Sequence, residues 1–289
     1  MTAPVVAGDT VLVGLLGRGI GASRTPRMHM AEGQAQGLSY DYRLIDAATQ
    51  DLPDLGVLLR RLEGEGFRGL NVTYPFKKDI IPFLDELSEA AQVLGAVNTV
   101  VFRDGRRHGH NTDHWGFGES FRTGLPDATR GTALLMGAGG AGRAVGSALL
   151  DQGVGKLLIH DLDGFSANWL TARLAERYGS DRVGAVENLA QAAAEADGLV
   201  NATPMGMEKL PGLPLPEALI APRHWVADIV YFPLETALLA AARAKGCQVL
   251  PGSGMAVYQA VRAFGLFTGR TADPDRMKAT FDSLAEVAA

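Results

Sequence analysis

One cysteine, Cys247, among 289 residues leaves no partner for an intramolecular disulfide and no thiolate set for a zinc cage. Basic residues number 27 against 32 acidic ones, a net charge of -5, and they form no block. A nucleic-acid groove and a polybasic membrane patch are therefore not expected. Long apolar runs are also missing. The N-terminal stretch "VLVGLL" is too short to span a bilayer or serve as a signal core, and no basic segment precedes it. The chain reads as soluble, unprocessed and cytoplasmic, with small molecules as partners and a homodimer left open. His29, His108, His110 and His114 match no zinc spacing, so no metal is expected. His29, at helical spacing, reads as packed or solvent-facing, and Cys247 as an inert core residue.

Glycine is abundant, at 36 residues. That number predicts the tight turns and close backbone approaches of nucleotide-binding α/β proteins. Apolar residues at 47%, charged residues at 20% and a length of 289 suit two globular domains of ordinary size.

In the first hundred residues, "TVLVGLLG", "YDYRLID" and "FRGLNVTY" read as strands, and "PRMHMAEGQAQGL" and "LGVLLRRLEGEG" as helices. "PFKKDIIPFLDELSEAAQVLG" reads as one or two helices, broken at Pro82, and "AVNTVVFRDGRRHGHNTD" as a hairpin turning at Asp104-Gly105. From about residue 115, a helix at "WGFGESFRTGL" precedes a second alternation of strands and helices, which implies a parallel sheet. The last forty residues read as helices. The expected class is α/β, with a first domain over 1–114 plus 255–289 and a second over 115–254.

"GAGGAG", comprising Gly137, Ala138, Gly139, Gly140, Ala141 and Gly142, follows the apolar strand "ALLM" and opens the helical pattern "RAVGSALL". Glycines there admit a pyrophosphate to the backbone, and the helix N-terminus offers unpaired N–H groups and a positive dipole end. About twenty residues further on, Asp161 in "LIHDLD" stands where an acidic side chain binds the adenosine ribose, with Asp163 competing for the role. A carboxylate there repels a 2′-phosphate, and no Lys or Arg occurs from Leu157 to Ala172 to neutralise one. NAD is expected over NADP. "NATPMGM", with Thr203, Pro204, Met205, Gly206 and Met207, follows another strand at the ligand-binding edge of the same sheet.

Taking about 100° per helical residue, Phe76, Ile80, Phe83, Leu84 and Leu87 share a stripe; Lys77 falls at its edge and Lys78 nearly opposite. Lys78 reads as solvated. Pro75 would start a helix, and Lys77 in its first turn would meet a dipole that disfavours the cation, making it a candidate proton acceptor. Asp113 in "HNTD" is the candidate partner.

Seven motifs in order, "SRTP", "NVTYPFK", "AVNT", "NTD", "GAGGAGRA", "NATPMGM" and "GMAVYQA", spread over about residues 14 to 265, make the chain resemble the shikimate dehydrogenase family. The resemblance implies an N-terminal substrate domain, a Rossmann-type cofactor domain, a cleft between them, and C-terminal helices returning to the first domain. It implies Lys77 and Asp113 as the catalytic pair. Ser23, Thr25, Asn71, Thr73, Asn98 and Gln259 match positions binding the substrate's carboxylate and hydroxyls, and Tyr231 in "DIVYFP" resembles the cleft tyrosine. Val230, Gly252 and Met255 are implied on the cofactor side.

Thr25 replaces the second serine usual in biosynthetic members, and "HDLD" replaces an Asn-Arg-Ser/Thr-type stretch. Both departures resemble the NAD-dependent quinate/shikimate branch, although Thr25 also reads as the cap before Pro26. The expectation is NAD-dependent oxidation of quinate and shikimate to the 3-dehydro acids. An NADP-dependent biosynthetic enzyme and a non-catalytic nucleotide-binding regulator are the alternatives.

Overall fold

The computed structural model describes residues 10–286. The first nine and last three residues lie outside the described residues; they include part of the expected first domain and the N-terminal segment where no signal is expected. The chain divides into two compact units, Met1–Thr112 with Val257–Ala289, and Asp113–Ala256.

The first unit is built on β1 (Thr10–Gly17), β2 (Ser39–Asp46), β3 (Gly69–Val72), β4 (Glu86–Leu87), β5 (Thr99–Arg103) and β6 (Arg106–His110), in the order β2-β1-β3-β5-β6-β4. β5 alone runs against its neighbours β3 and β6. The β5–β6 hairpin turns at Asp104 (φ 53°) and Gly105 (φ 69°), the two positive values a two-residue type I′ loop needs. Helices α1 (Thr25–Ala35), α2 (Leu55–Gly64) and α3 (Glu89–Leu94) connect the strands. On one face, Leu58, Leu59 and Leu62 of α2 pack with Leu16, Leu70, Val72 and Val100 of the sheet. On the other, His29 of α1 is fully buried among Tyr40, Tyr42, Phe264 and Phe267, and that burial lowers its imidazole pKa to about 3.

The helix expected from Pro75 is not formed. Residues 74–80 make successive turns after a cis Tyr74-Pro75 bond, a 3₁₀ turn covers Ile81–Phe83, and Glu86-Leu87 pairs as a strand with His108-Gly109. The helical ladder fails because the carbonyl of Lys77, which would accept from Ile81, instead accepts from Val97 N–H at 2.8 Å, while Ile81 bonds Lys78. The apolar stripe still finds its core: Ile80 is buried, and Phe76, Phe83, Leu84 and Leu87 pack against the same cluster. Lys78 is exposed and Lys77 half-buried.

The second unit carries β7 (Thr132–Met136), β8 (Lys156–His160), β9 (Val183–Ala185), β10 (Gly198–Asn201), β11 (Trp225–Asp228) and β12 (Gln248–Leu250), all parallel, in the order β12-β11-β10-β7-β8-β9. Counted from β7, this is the doubly wound order of dinucleotide-binding sheets. Alternation along β7 and β8 sends Leu135, Leu157 and Ile159 to one face and Leu134, Met136 and Leu158 to the other. The first face is covered by α4 (Thr112–Gly124), α5 (Gly140–Asp151) and α6 (Gly164–Tyr178), through Phe121, Leu149 and Leu174. The second is covered by α7 (Leu189–Glu195) and α8 (Ala237–Ala244), through Ala192, Ala193, Leu238 and Ala242, with Cys247 in the same cluster. Two further helices, α9 (Ser253–Thr268) and α10 (Pro274–Glu286), complete the chain. No described helix is long and apolar enough to cross a membrane.

Candidate active site

In the first unit Ser23, Asn71, Thr73 and Asn98 lie toward one edge of the sheet, at or after the carboxyl ends of β1 and β3 and before the start of the antiparallel β5. The loop after β1 carries Ser23 and is tied down by Asp46 at the end of β2. The Asp46 carboxylate accepts from Gly19 N–H at 2.7 Å, Ala48 N–H at 2.9 Å and Ile20 N–H at 2.9 Å. These bonds, led by that from Ala48, hold its pKa below the usual carboxylate value. Thr25 is the first residue of α1, after Arg24 at the cap position, whose side chain makes no cap bond; the Ser23 hydroxyl accepts from Thr25 N–H at 3.4 Å. The cap role expected for Thr25 is thus corrected: its backbone already has helical geometry, so its hydroxyl does not serve the helix end.

Thr73 follows β3, and its N–H bonds Leu16 at 2.8 Å. Asn71 and Asn98 are buried, each 4% exposed. Asn98 precedes β5, directly after Val97, whose N–H holds the Lys77 carbonyl. One bond therefore ties the Lys77 segment to the chain that carries Asn98. Gln259 is half-buried on α9.

The second unit holds Asp113, buried in the first turn of α4, where the helix dipole favours a carboxylate. Its glycine turn runs from the end of β7 into α5. Gly137 has φ 100°, and a Cβ there would meet backbone atoms of Ala202 and Thr203 at 2.8–2.9 Å. Around Gly139 and Gly140 the space where a Cβ would stand is open, and no side chain caps α5 at Gly139. This arrangement fits a dinucleotide: backbone N–H groups face open space at a helix N-terminus, and no side chain fills the cradle.

Asp161 stands directly after β8. Its Oδ2 accepts from Ala138 N–H at 2.6 Å and its Oδ1 from Asp163 N–H at 2.9 Å. Asp163 caps α6, accepting from Phe165 N–H at 3.2 Å and from the Ser166 hydroxyl at 2.6 Å. The two aspartates are thereby separated, one in the cap and the other against the glycine turn.

The loop Thr203–Met207 follows β10 and is shaped by Asn201. Asn201 Oδ1 accepts from Thr203 N–H at 3.0 Å and its hydroxyl at 2.7 Å, while Nδ2 donates to Met205 O and to Asp228, both at 2.9 Å. Asp228, 2% exposed, also accepts from Val230 N–H at 3.0 Å and the Thr236 hydroxyl at 2.7 Å. Burial nevertheless raises its carboxyl pKa. Gly252 lies against Ile229 and Val230, where any side chain would strike their carbonyls. Met255 is partly buried against the sheet's core, and Tyr231, 37% exposed, packs its ring on Phe232.

Sequence reasoning missed Asp46, Asn201 and Asp228, which position loops. Each is a polar residue ending a strand or just inside its end, and buried carboxylates and amides there must find partners. No cluster of metal-ligating side chains occurs among the described residues.

The family model of the shikimate dehydrogenase substrate binding domain matches residues 15–100, and that of the shikimate 5′-dehydrogenase C-terminal domain matches 252–280. A quinate/shikimate dehydrogenase (NAD(+)) of Corynebacterium efficiens is 49% identical over 281 residues, covering 96% of this chain and 99% of the relative. A shikimate dehydrogenase (NADP(+)) of Streptomyces avermitilis is 50% identical over 285 residues, covering 97% and 98%. The structure of quinate dehydrogenase from Corynebacterium glutamicum in complex with NAD matches with a TM-score of 0.91 and 48% identity, over 96% of this chain and 100% of that one. The two sequence relatives, at 49% and 50% identity, are named for different cofactors. With its doubly wound sheet, its glycine turn and near-full-length relatives at about half identity, the chain belongs to the shikimate dehydrogenase family.

Proposed function

We propose that Lys77 and Asp113 handle the proton of a ring hydroxyl, while Ser23, Thr25, Asn71, Thr73, Asn98, Tyr231 and Gln259 bind the acid that bears it. The protein is an NAD-dependent quinate/shikimate dehydrogenase, reversibly oxidising that hydroxyl to give 3-dehydroquinate or 3-dehydroshikimate. Residues 1–114 and 255–289 form the substrate domain of this reading and 115–254 the cofactor domain. The observation that carries it is the set of polar side chains at one edge of the first unit's sheet, with Lys77 tied to the Asn98 segment through Val97.

Oxidation removes a proton from the hydroxyl oxygen and a hydride from its carbon. NAD, when bound, supplies the hydride acceptor. Gly139 and Gly140 at the α5 N-terminus would hold its pyrophosphate and Asp161 its ribose, and the loop Thr203–Met207 with Val230, Gly252 and Met255 would complete the cofactor site. The Lys77 amine takes the hydroxyl proton, and the Asp113 carboxylate orients both amine and hydroxyl. A cytoplasmic location without nucleic-acid or membrane partners completes the reading, supported by the net charge of -5 and the lone buried Cys247.

A site built to bond several hydroxyls leaves its own polar groups unpaired when those hydroxyls are missing. A ring acid that keeps the oxidised hydroxyl but lacks its neighbours is therefore expected to react with kcat/KM lower than shikimate by about 10²-fold or more. Comparable values for the two acids in initial-rate assays would remove the polar set from substrate recognition.

A further inference from the structure

Resting on the reading that Asn71 and Asn98 bind substrate, we infer that Tyr42 and Thr99 are positioning residues that fix which face of each asparagine amide the substrate meets. Tyr42 is 7% exposed, and Thr99 and Thr112 are 0% and 1% exposed. The sheet brings them together from separate strands: Asn71 of β3 pairs with Thr99 of β5, and Tyr42 lies on β2.

Backbone groups, which only donate or only accept, fix the two amide orientations. Thr112 N–H lies 2.7 Å from the side-chain oxygen of Asn98. A backbone N–H only donates, so this amide atom is the carbonyl and the Asn98 flip is settled. Asn98 Nδ2 then donates to the Thr112 hydroxyl at 3.0 Å. Two hydroxyls reach Asn98 Oδ1 at 3.2 Å, those of Thr99 and Thr112, which lie 3.4 Å from each other. Asn71 Nδ2 lies 3.0 Å from Thr99 Oγ1 and 3.5 Å from the Asn98 backbone carbonyl; that carbonyl only accepts, which places Nδ2 of Asn71 toward Thr99. The other end of that amide, Oδ1, faces the Tyr42 hydroxyl at 2.7 Å, and Tyr42 donates to it.

The consequence for recognition is directional. The Asn98 carbonyl already receives the Thr112 N–H and a threonine hydroxyl, from Thr99 or Thr112, which occupy its two lone pairs, so Asn98 meets substrate as a donor. The substrate group at Asn98 therefore accepts, and a hydroxyl in that place sends its own proton elsewhere. Asn71 is held in one flip, with Tyr42 on its oxygen and Thr99 on its nitrogen. Neither Tyr42 nor Thr99 needs to touch the acid for this to matter.

The test uses the full-length enzyme with saturating NAD. Y42F and T99V each remove one hydroxyl while keeping the shape of the side chain, and each is expected to raise KM for quinate and shikimate about tenfold, the worth of one hydrogen bond. kcat should change less than KM, and KM for NAD should stay within about twofold. T99S restores the hydroxyl and is expected to return KM to within about twofold of the original. A T99S enzyme as impaired as T99V would assign Thr99 to packing and overturn the inference, as would unchanged acid KM in both Y42F and T99V. N71A and N98A separate the two levels of the argument. If they raise acid KM while Y42F and T99V do not, the positioning role fails alone; if they leave it unchanged, the substrate-binding reading fails with it.

Discussion

The K77A enzyme is expected to turn over quinate and shikimate about 10²- to 10⁴-fold more slowly, the usual range for a positioned acid–base group, while binding NAD as the parent does. It is the Lys77 backbone carbonyl that holds Val97, and alanine keeps that bond. The side chain is half-buried, whereas its neighbour Lys78 is exposed, so K78A is the natural control and should leave turnover within about twofold. Steady-state kcat with both acids, beside NAD titrated by calorimetry, makes the comparison. Turnover near that of the parent enzyme would remove Lys77 from the proton transfer and leave the cofactor argument standing.

The second large effect is expected at Asp161. Two sequence relatives at 49% and 50% identity, one named for NAD and one for NADP, show that global similarity does not decide the cofactor. A carboxylate against the glycine turn accepts from the ribose hydroxyls and repels a 2′-phosphate. D161N removes the charge. Hydrogen bonds to charged groups are worth about 1.5–3 kcal/mol, so KM for NAD should rise roughly 10- to 150-fold. The preference for NAD over NADP should shrink by a similar factor, because the repulsion goes as well. Asp161 also accepts from Ala138 and Asp163 N–H groups, and an asparagine can keep only one of those bonds. Tm belongs in the measurement for that reason. An unchanged KM for NAD would contradict the assignment.

Much of the second unit could be read from local pattern, because its signals are local. The Gly137–Gly142 turn, the strand before it and the aspartate after the next strand all lie within about thirty residues. The hairpin at Asp104-Gly105 was legible for the same reason, an Asp-Gly turn sequence directly after the apolar strand "TVVFR". β9, α7, α8 and β12 went unread, being three to eight residues long with little periodicity.

The segment after Pro75 shows where pattern reading stops. The apolar spacing found the right core residues but implied a helix, and one tertiary bond from Val97 to Lys77 gave the chain another course. The site divides along the same line. Its motif residues were legible through their order along the chain. Tyr42 and Asp46 were not, because Asn71 and Ile20 lie 29 and 26 residues from them, and Thr99 and Thr112 stood inside motifs without a role, their bonds to Asn71 and Asn98 spanning 28 and 14 residues.

The central claim is that this chain oxidises a hydroxyl of quinate and shikimate with NAD. The most direct test is the initial rate of nicotinamide reduction by the purified protein in the four combinations of quinate or shikimate with NAD or NADP. Reduction of NAD by both acids, with kcat/KM for NAD above that for NADP, is the predicted result. Reduction of NADP alone, or of neither cofactor by either acid, would contradict it.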